Sequence, residues 1–495
     1  MSKKIGGVVA LAGLCALSLF LLNCGSSSSR PSGLLYVLTQ GTNAQGIPSI
    51  GYNVSSFSID FDNGTLSLIN SNASTCLTAA SNANPEPCGL PLDILLDPTG
   101  GSAFVLNQGI PCVNDVCGSN NPVSASISAY TVNSDGSLSN PGTPVIWTCV
   151  SPSATPCTQA NAYTDTAVAM SRDAAGQFLF VINRGVFPLP TTCPSIASAV
   201  TIAAQATDFL GCPSISVFTM QAGSITFVSQ STTYQSPLFL SKLPSGLSAI
   251  AFTPPGGAAQ ELLFVTDNYD LCTVGCVPAH QPNDNAVSVY AVSSSGILTE
   301  QQNSPYAVAA ISPISVIAVN TNPPTQNTGG LFVYVGNQDT NGGHLYPFQV
   351  CTVVNAVCTS ADVAVSLMTP LATCPSLACQ VPPTSVGQEP VGMLVDPTNS
   401  FLYVVSEGSN QVFGFNIAAT AGTLTAVGGS PQNSQGAQPV SLAMHPSVNN
   451  SGQYLYVSNS NSQSVGGFTL STTTGSMSSP TTVITPSTPS GMAAH

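Results

Sequence analysis

Six copies of one four-strand pattern, and a seventh divided between the two ends of the chain, predict an all-β fold. The expected architecture is a seven-bladed β-propeller of four-stranded antiparallel blades, its ring closed by a C-terminal strand joining the N-terminal blade. Composition agrees: 43% of the 495 residues are hydrophobic, enough for a core, and only 5% are charged, against roughly a quarter in an average soluble protein. The polar surface is therefore built of amides and hydroxyls.

The pattern is clearest late in the chain. Glu389 to Pro397 is a first strand running into Asp-Pro; Phe401 to Val405, Gln411 to Phe415 and Gly422 to Leu424 follow as short apolar or alternating runs. Gly, Pro, Asn and Ser punctuate them, as tight turns between strands require. The same order recurs from Leu90, Thr166, Leu247, Pro313 and Gln438. Leu34-Leu35-Tyr36-Val37 is a second-strand motif with no first strand before it, and Pro489 to His495 is a first-strand motif with nothing after it. Joined, they make the missing blade and leave no dangling edge.

These repeats resemble the lactonase-like seven-bladed propellers, the group related to 6-phosphogluconolactonase and to YVTN-repeat surface proteins. The resemblance runs from Leu34 to His495, carried by the first strand Pro390 to Pro397, the second strand Phe401 to Val404 and the third strand Val287 to Tyr290. It implies the fold strongly and the function weakly, because propellers host enzymes, adhesins and scaffolds alike.

Ahead of the repeats, Lys3 and Lys4 precede an apolar run from Ile5 to Leu22, the order of an export signal. Leu21-Leu22-Asn23-Cys24 resembles a bacterial lipobox, so residues 1–23 are expected to be a signal peptide, Cys24 lipidated, 24–33 a Ser-rich linker and 34–495 the propeller. A transmembrane anchor is the competing reading, since 18 apolar residues is near the lower limit for spanning. The expected location is the cell envelope at the outer membrane, periplasmic or surface-exposed, with lipid as the one membrane contact.

Setting Cys15 and Cys24 aside, the remaining cysteines fall into near neighbours: Cys76 with Cys88, Cys112 with Cys117, Cys149 with Cys157, Cys193 with Cys212, Cys272 with Cys276, Cys351 with Cys358, and Cys374 with Cys379. In an exported chain they predict seven local disulfides. Zinc is the alternative, but no CxxC occurs and the four histidines are scattered. Six of the seven pairs fall in second-to-third-strand loops and blade links, which emerge on one face; that stapled, loop-rich face is where a ligand is expected.

Six Lys and Arg against 20 Asp and Glu exclude nucleic acid as a partner and argue against phosphorylated substrates. No P-loop, GxGxxG or GxSxG motif appears, and no cofactor is expected. Calcium could be held by Asp267 to Asp270 or Asn283 to Asn285, although neither has EF-hand spacing.

Second-strand ends supply a ring, Thr39, Asn107, Asn183, Asp267, Asn337, Ser406 and Asn459, that either binds ligand at the channel mouth or serves turn chemistry. His280, His344, Arg184 and Glu407 are the candidate catalytic groups, a base and an oxyanion donor being what lactone hydrolysis needs. His445 aligns with Asp97 and Asp396 and is expected to be structural.

Two functions remain open. The first is a monomeric, lipid-anchored binding or scaffolding module whose stapled face takes a glycan, a lactone or a protein ligand. The second, implied by the resemblance, is a lactone hydrolase; a calcium-dependent adhesin is a weaker third.

Overall fold

The computed structural model describes residues 33–40, 53–74, 90–108, 125–139, 144–145, 167–185, 213–221, 223–228, 238–240, 243–252, 260–268, 285–301, 304–308, 312–321, 330–339, 342–351, 367–370, 383–445, 453–485 and 487–495. They form seven antiparallel sheets arranged as blades. We number the blades by their second strands: Leu34–Gln40, Ser102–Gln108, Phe178–Asn183, Gln260–Asp267, Leu331–Asp339, Phe401–Ser406 and Gln453–Asn459. The matching first strands are Thr488–Ala494, Leu90–Leu96, Ala167–Arg172, Pro244–Phe252, Pro313–Asn320, Pro390–Val395 and Pro439–His445. Each first strand touches the next around the axis, ending with Pro439–His445 against Thr488–Ala494.

The C-terminal strand joins blade 1, and Leu34 and His495 exchange both backbone hydrogen bonds at 3.0 Å. The expected leader and, but for Gly33, the linker, with Cys15 and Cys24, lie outside the described residues. So do six of the expected disulfides entire: Cys76 and Cys88, Cys112 and Cys117, Cys149 and Cys157, Cys193 and Cys212, Cys272 and Cys276, Cys374 and Cys379. Of the seventh, Cys351 ends the third strand of blade 5, and its expected partner Cys358 lies outside.

Second strands read as unbroken apolar runs because both their faces are covered by neighbouring blades. The described core is accordingly seven clusters, each made by two adjacent blades, with blades 7 and 1 sharing the last. Three first strands, those of blades 2, 3 and 6, run into the second strand through a turn capped by an aspartate. Asp396 accepts the N–H groups of Thr398, Ser400 and Phe401 at 2.7 to 3.0 Å, and Asp97 those of Thr99 and Gly101. His445 replaces this aspartate in blade 7 and packs its ring 4.9 Å from that of Phe61 in blade 1.

Two features go beyond the four-strand pattern. Short segments, Leu238–Phe239, Tyr306–Ala307, Thr384–Gly387 and Gln432–Asn433, pair with the near half of the third strand. In blade 6 the fourth strand covers only Phe415 to Ile417, and the link to the next blade covers Gln411 and Val412.

The second feature is a latch. The hydroxyls of Tyr36, Tyr334, Tyr403 and Tyr456 donate across the blade boundary to the carbonyls of Gly136, Gly422, Gly475 and Gly64, at 2.7 to 3.0 Å. Those glycines sit at positive φ in third-to-fourth-strand turns, against side chains of the preceding blade.

Candidate functional site

Every first strand enters its blade through the same irregularity. Pro91 stands opposite Asn107 but Asp93 opposite Leu106, so Leu92 is an extra residue on the inner strand. The same step occurs in the other six blades. Six of the seven entering residues are proline, Ala167 being the exception; a proline brings no N–H that a bulge would leave unpaired. Proline carbonyls are used by the preceding blade: Ser490 donates to Pro91, Ser245 to Pro313 and Ser315 to Pro390, at 2.7 to 2.8 Å.

Opposite the prolines lies the polar ring expected from sequence, but it is sealed. Thr39, Asn107, Asn183, Asp267, Asn337, Ser406 and Asn459 are at most 2% exposed. The amides turn outward into the blade. Asn107 donates to Ser126 and Ser128, Asn183 to Ser214 and Ser216, and Asn459 to Ser464 and the Ser434 carbonyl; Asp267 accepts from Ser288 at 2.6 Å. These bonds pin second strand to third in blades 2, 3, 4 and 7, whereas the buried Asn337 side chain meets no hydrogen-bond partner among the described residues. His344 is part of this lattice: it pairs with Asn337 on one side and Ser385 on the other, half-buried and one strand outward from the second-strand ends.

One residue further on, the chain reaches the channel mouth with Gln40, Gln108, Arg184, Asn268, Gln338, Glu407 and Ser460. Several of these hold the next blade: Gln40 donates to the Pro91 carbonyl at 2.9 Å, Asn268 to Ser312 at 3.1 Å, and Gln338 accepts the Glu389 N–H.

The two charged members differ. Glu407 donates its N–H to the Glu389 carbonyl, and burial, with the Glu389 charge, holds its carboxyl above the ordinary range. Arg184 is half-buried, its Nε meets no partner among the described residues, and burial alone lowers its pKa. Blades 3 and 6 carry them, so they stand nearly across the ring from one another. His280 lies outside the described residues.

Sequence reading passed over Asp93. It follows the bulge of blade 2, at the inner-strand level where the other blades carry Ala169, Gly246, Ser315, Gly392, Ser441 and Gly491. Oδ2 accepts the Met170 N–H of blade 3 at 3.4 Å and Oδ1 its neighbour Ile94 at 2.8 Å. Some surface stays open, yet protein surrounds the group, and burial raises its carboxyl to about 6. A carboxyl in a repeat position otherwise reserved for small residues was the available signal.

Sheet order defines the class, a seven-bladed β-propeller. Residues 368–493 match the family model described as Lactonase, 7-bladed beta-propeller. Among solved structures, the chain is similar to the periplasmic gluconolactonase PpgL of Pseudomonas aeruginosa, at 15% identity, TM-score 0.53, covering 93% of this chain and 99% of that one. It is also similar to a candidate 6-phosphogluconolactonase of Bacteroides uniformis, at 14% identity, TM-score 0.51, covering 94% and 99%. A Lactobacillus plantarum protein is similar at 12% identity, TM-score 0.52, covering 94% and 99%. At such identities the likeness shows the fold. No curated protein matches the chain in sequence.

Proposed function

We propose that the protein hydrolyses an unphosphorylated sugar lactone at the mouth carrying Arg184 and Glu407. The observation behind this is a half-buried guanidinium without a described carboxylate partner, on the same rim as a carboxyl whose pKa is raised. In this reading ionised Glu407 takes a proton from water as its oxygen attacks the lactone carbonyl carbon. Arg184, across the mouth, holds the sugar's hydroxyls and so fixes the lactone against Glu407. The ring C–O bond then breaks, and the proton returns from Glu407 to the departing ring oxygen. Arg184 is the one cation among the seven rim positions, so nothing there favours a phosphate as well.

Turnover of a lactone panel by the mature domain tests it. Glu407→Gln is expected to lower kcat about 100-fold or more, and Arg184→Gln to raise KM about tenfold. Because the carboxyl must be ionised, wild-type activity should fall as pH drops through a midpoint above the ordinary glutamate value of about 4.3. Full activity in Glu407→Gln would sink the assignment. Absence of turnover on every lactone would favour the binding-scaffold reading, which rests on the predicted clustering of cysteine pairs on this face.

Export is part of the same proposal, with Cys24 lipidated and the seven near-neighbour cysteine pairs oxidised in the cell envelope. Intact mass of the mature protein, before and after reduction, reads both. The expected species begins at acylated Cys24 and gains two hydrogens per pair; an unacylated chain or unchanged mass would refute the corresponding half.

A further inference from the structure

The channel also opens at the other end, among the first-to-second-strand turns, and there the structure contains a bowl of about 940 Å³. Its wall is drawn from five blades: Leu95 of blade 2, Met170 to Ala174 of blade 3, Ala249 to Ala251 of blade 4, Asn320 and Thr321 of blade 5, and Pro397 to Asn399 of blade 6. None of these is a rim residue of the proposed lactonase site, which lies at the opposite end of the inner strands.

We propose that this bowl is a second, non-catalytic binding site for a neutral mono- or disaccharide. Three properties of the wall select that chemistry. Aliphatic surface from Leu95, Met170 and Ile250 alternates with the hydroxyls and amides of Ser171, Thr398, Asn320 and Asn399, the mixture a pyranose presents in return. The amides are held in place: Asn399 donates to the Asn320 carbonyl at 3.0 Å, and Asn320 to the Ala251 carbonyl at 3.4 Å, so blades 6, 5 and 4 are tied along the lip.

Charge is balanced locally, which disfavours an ionic ligand. Arg172 is the one cation among the described wall residues, its NH1 donates to the Asp173 carbonyl, and the Asp173 carboxylate in the same wall counters its charge. Asp173 commits Oδ1 to the Phe178 N–H at 2.8 Å, and its second oxygen is the acceptor offered to vicinal hydroxyls. Behind the wall, burial and the Asp173 charge push the Glu261 carboxyl up to about 8, so it too adds no charge at neutral pH. An anion would meet Asp173; a cation would meet Arg172.

The experiment titrates the mature protein with maltose, cellobiose and N-acetylglucosamine, with glucose 6-phosphate as the charged comparison, by calorimetry. Binding of at least one neutral sugar is expected, weakened about tenfold or more by Ala251→Phe, which fills the bowl, and unchanged by Glu407→Gln. A second variant, Asn399→Gly, keeps the left-handed backbone at φ 57° while removing the amide, and should weaken binding with only the small drop in thermal midpoint that one lost hydrogen bond brings, whereas a misfolded chain would lose its transition. No sugar bound at millimolar concentration, tighter binding of glucose 6-phosphate than of any neutral sugar, or loss in Glu407→Gln with retention in Ala251→Phe would each overturn the proposal. Lactone turnover is read separately, so failure here leaves the Arg184 and Glu407 reading standing, and the reverse.

Discussion

Asp93 shows how one residue can break a repeat for a reason. Six blades place glycine, alanine or serine beside the neighbouring inner strand, where Gly491 and Gly246 leave less room than a methyl group comfortably needs. Blade 2 places a carboxylate there and binds it to Met170 of blade 3. Its pKa is raised by burial, so the folded state holds a proton that the unfolded chain releases near pH 4. Stability from this group is present below pH 4 and is lost as pH rises to about 6, by up to about 3 kcal/mol. Asp93→Asn keeps an acceptor for Met170 and should remove that loss; denaturation of both proteins at pH 4 and pH 7 measures it, and an equal pH dependence in the two would show that Asp93 carries none. Arg184 and Glu407 were readable because charge is scarce in this chain. Burial of the Asn belt was not readable, since an Asn at a strand end looks alike whether it faces solvent or a serine on the next strand.

At the scale of elements, the repeat announces its strands but hides its joints. Apolar runs such as Phe401 to Val405 identify a strand covered on both faces, and the Asp-Pro endings identify the turn that follows. The latch was invisible because its parts are far apart in sequence: Tyr403 reaches Gly475, and Tyr456 reaches Gly64 across the closure of the ring. Blades 2, 3 and 4 carry Phe104, Phe180 and Phe264 in the equivalent place, so the ring is required there and the hydroxyl is not. Tyr403→Phe should therefore cost about 1 kcal/mol, the usual net worth of a hydrogen bond. Gly475→Ala combines φ 67° with a Cβ driven into the Phe401 ring, and should cost more than about 2 kcal/mol. Urea denaturation ranks the pair, and the reverse order would show that the hydroxyl, not the turn, carries the junction. The short fifth segments escaped notice for a simpler reason, because two paired residues leave no periodicity to detect.

For the whole molecule, blade number and closure followed from counting repeats and noticing that the two ends complement one another. The bowl was not foreseeable from sequence, because its wall gathers turn residues from five blades that only the ring brings together. Removing residues 486–495 takes the inner strand from blade 1, exposes the edge of Leu34–Gln40, and should lower the thermal midpoint and promote association on size exclusion. A synthetic peptide of those residues should restore the midpoint by strand addition; an unchanged midpoint after truncation would show that six blades and a remnant suffice. Pairing of the earliest described strand with the latest also sets a schedule. Strand Leu34–Gln40 leaves the ribosome with its inner partner still unmade, and at roughly 5–20 residues per second it waits tens of seconds for Thr488–Ala494. Throughout that interval the inner edge of this apolar strand has no native neighbour, and a chain arrested at any point before Thr488–Ala494 is a ring that cannot shut.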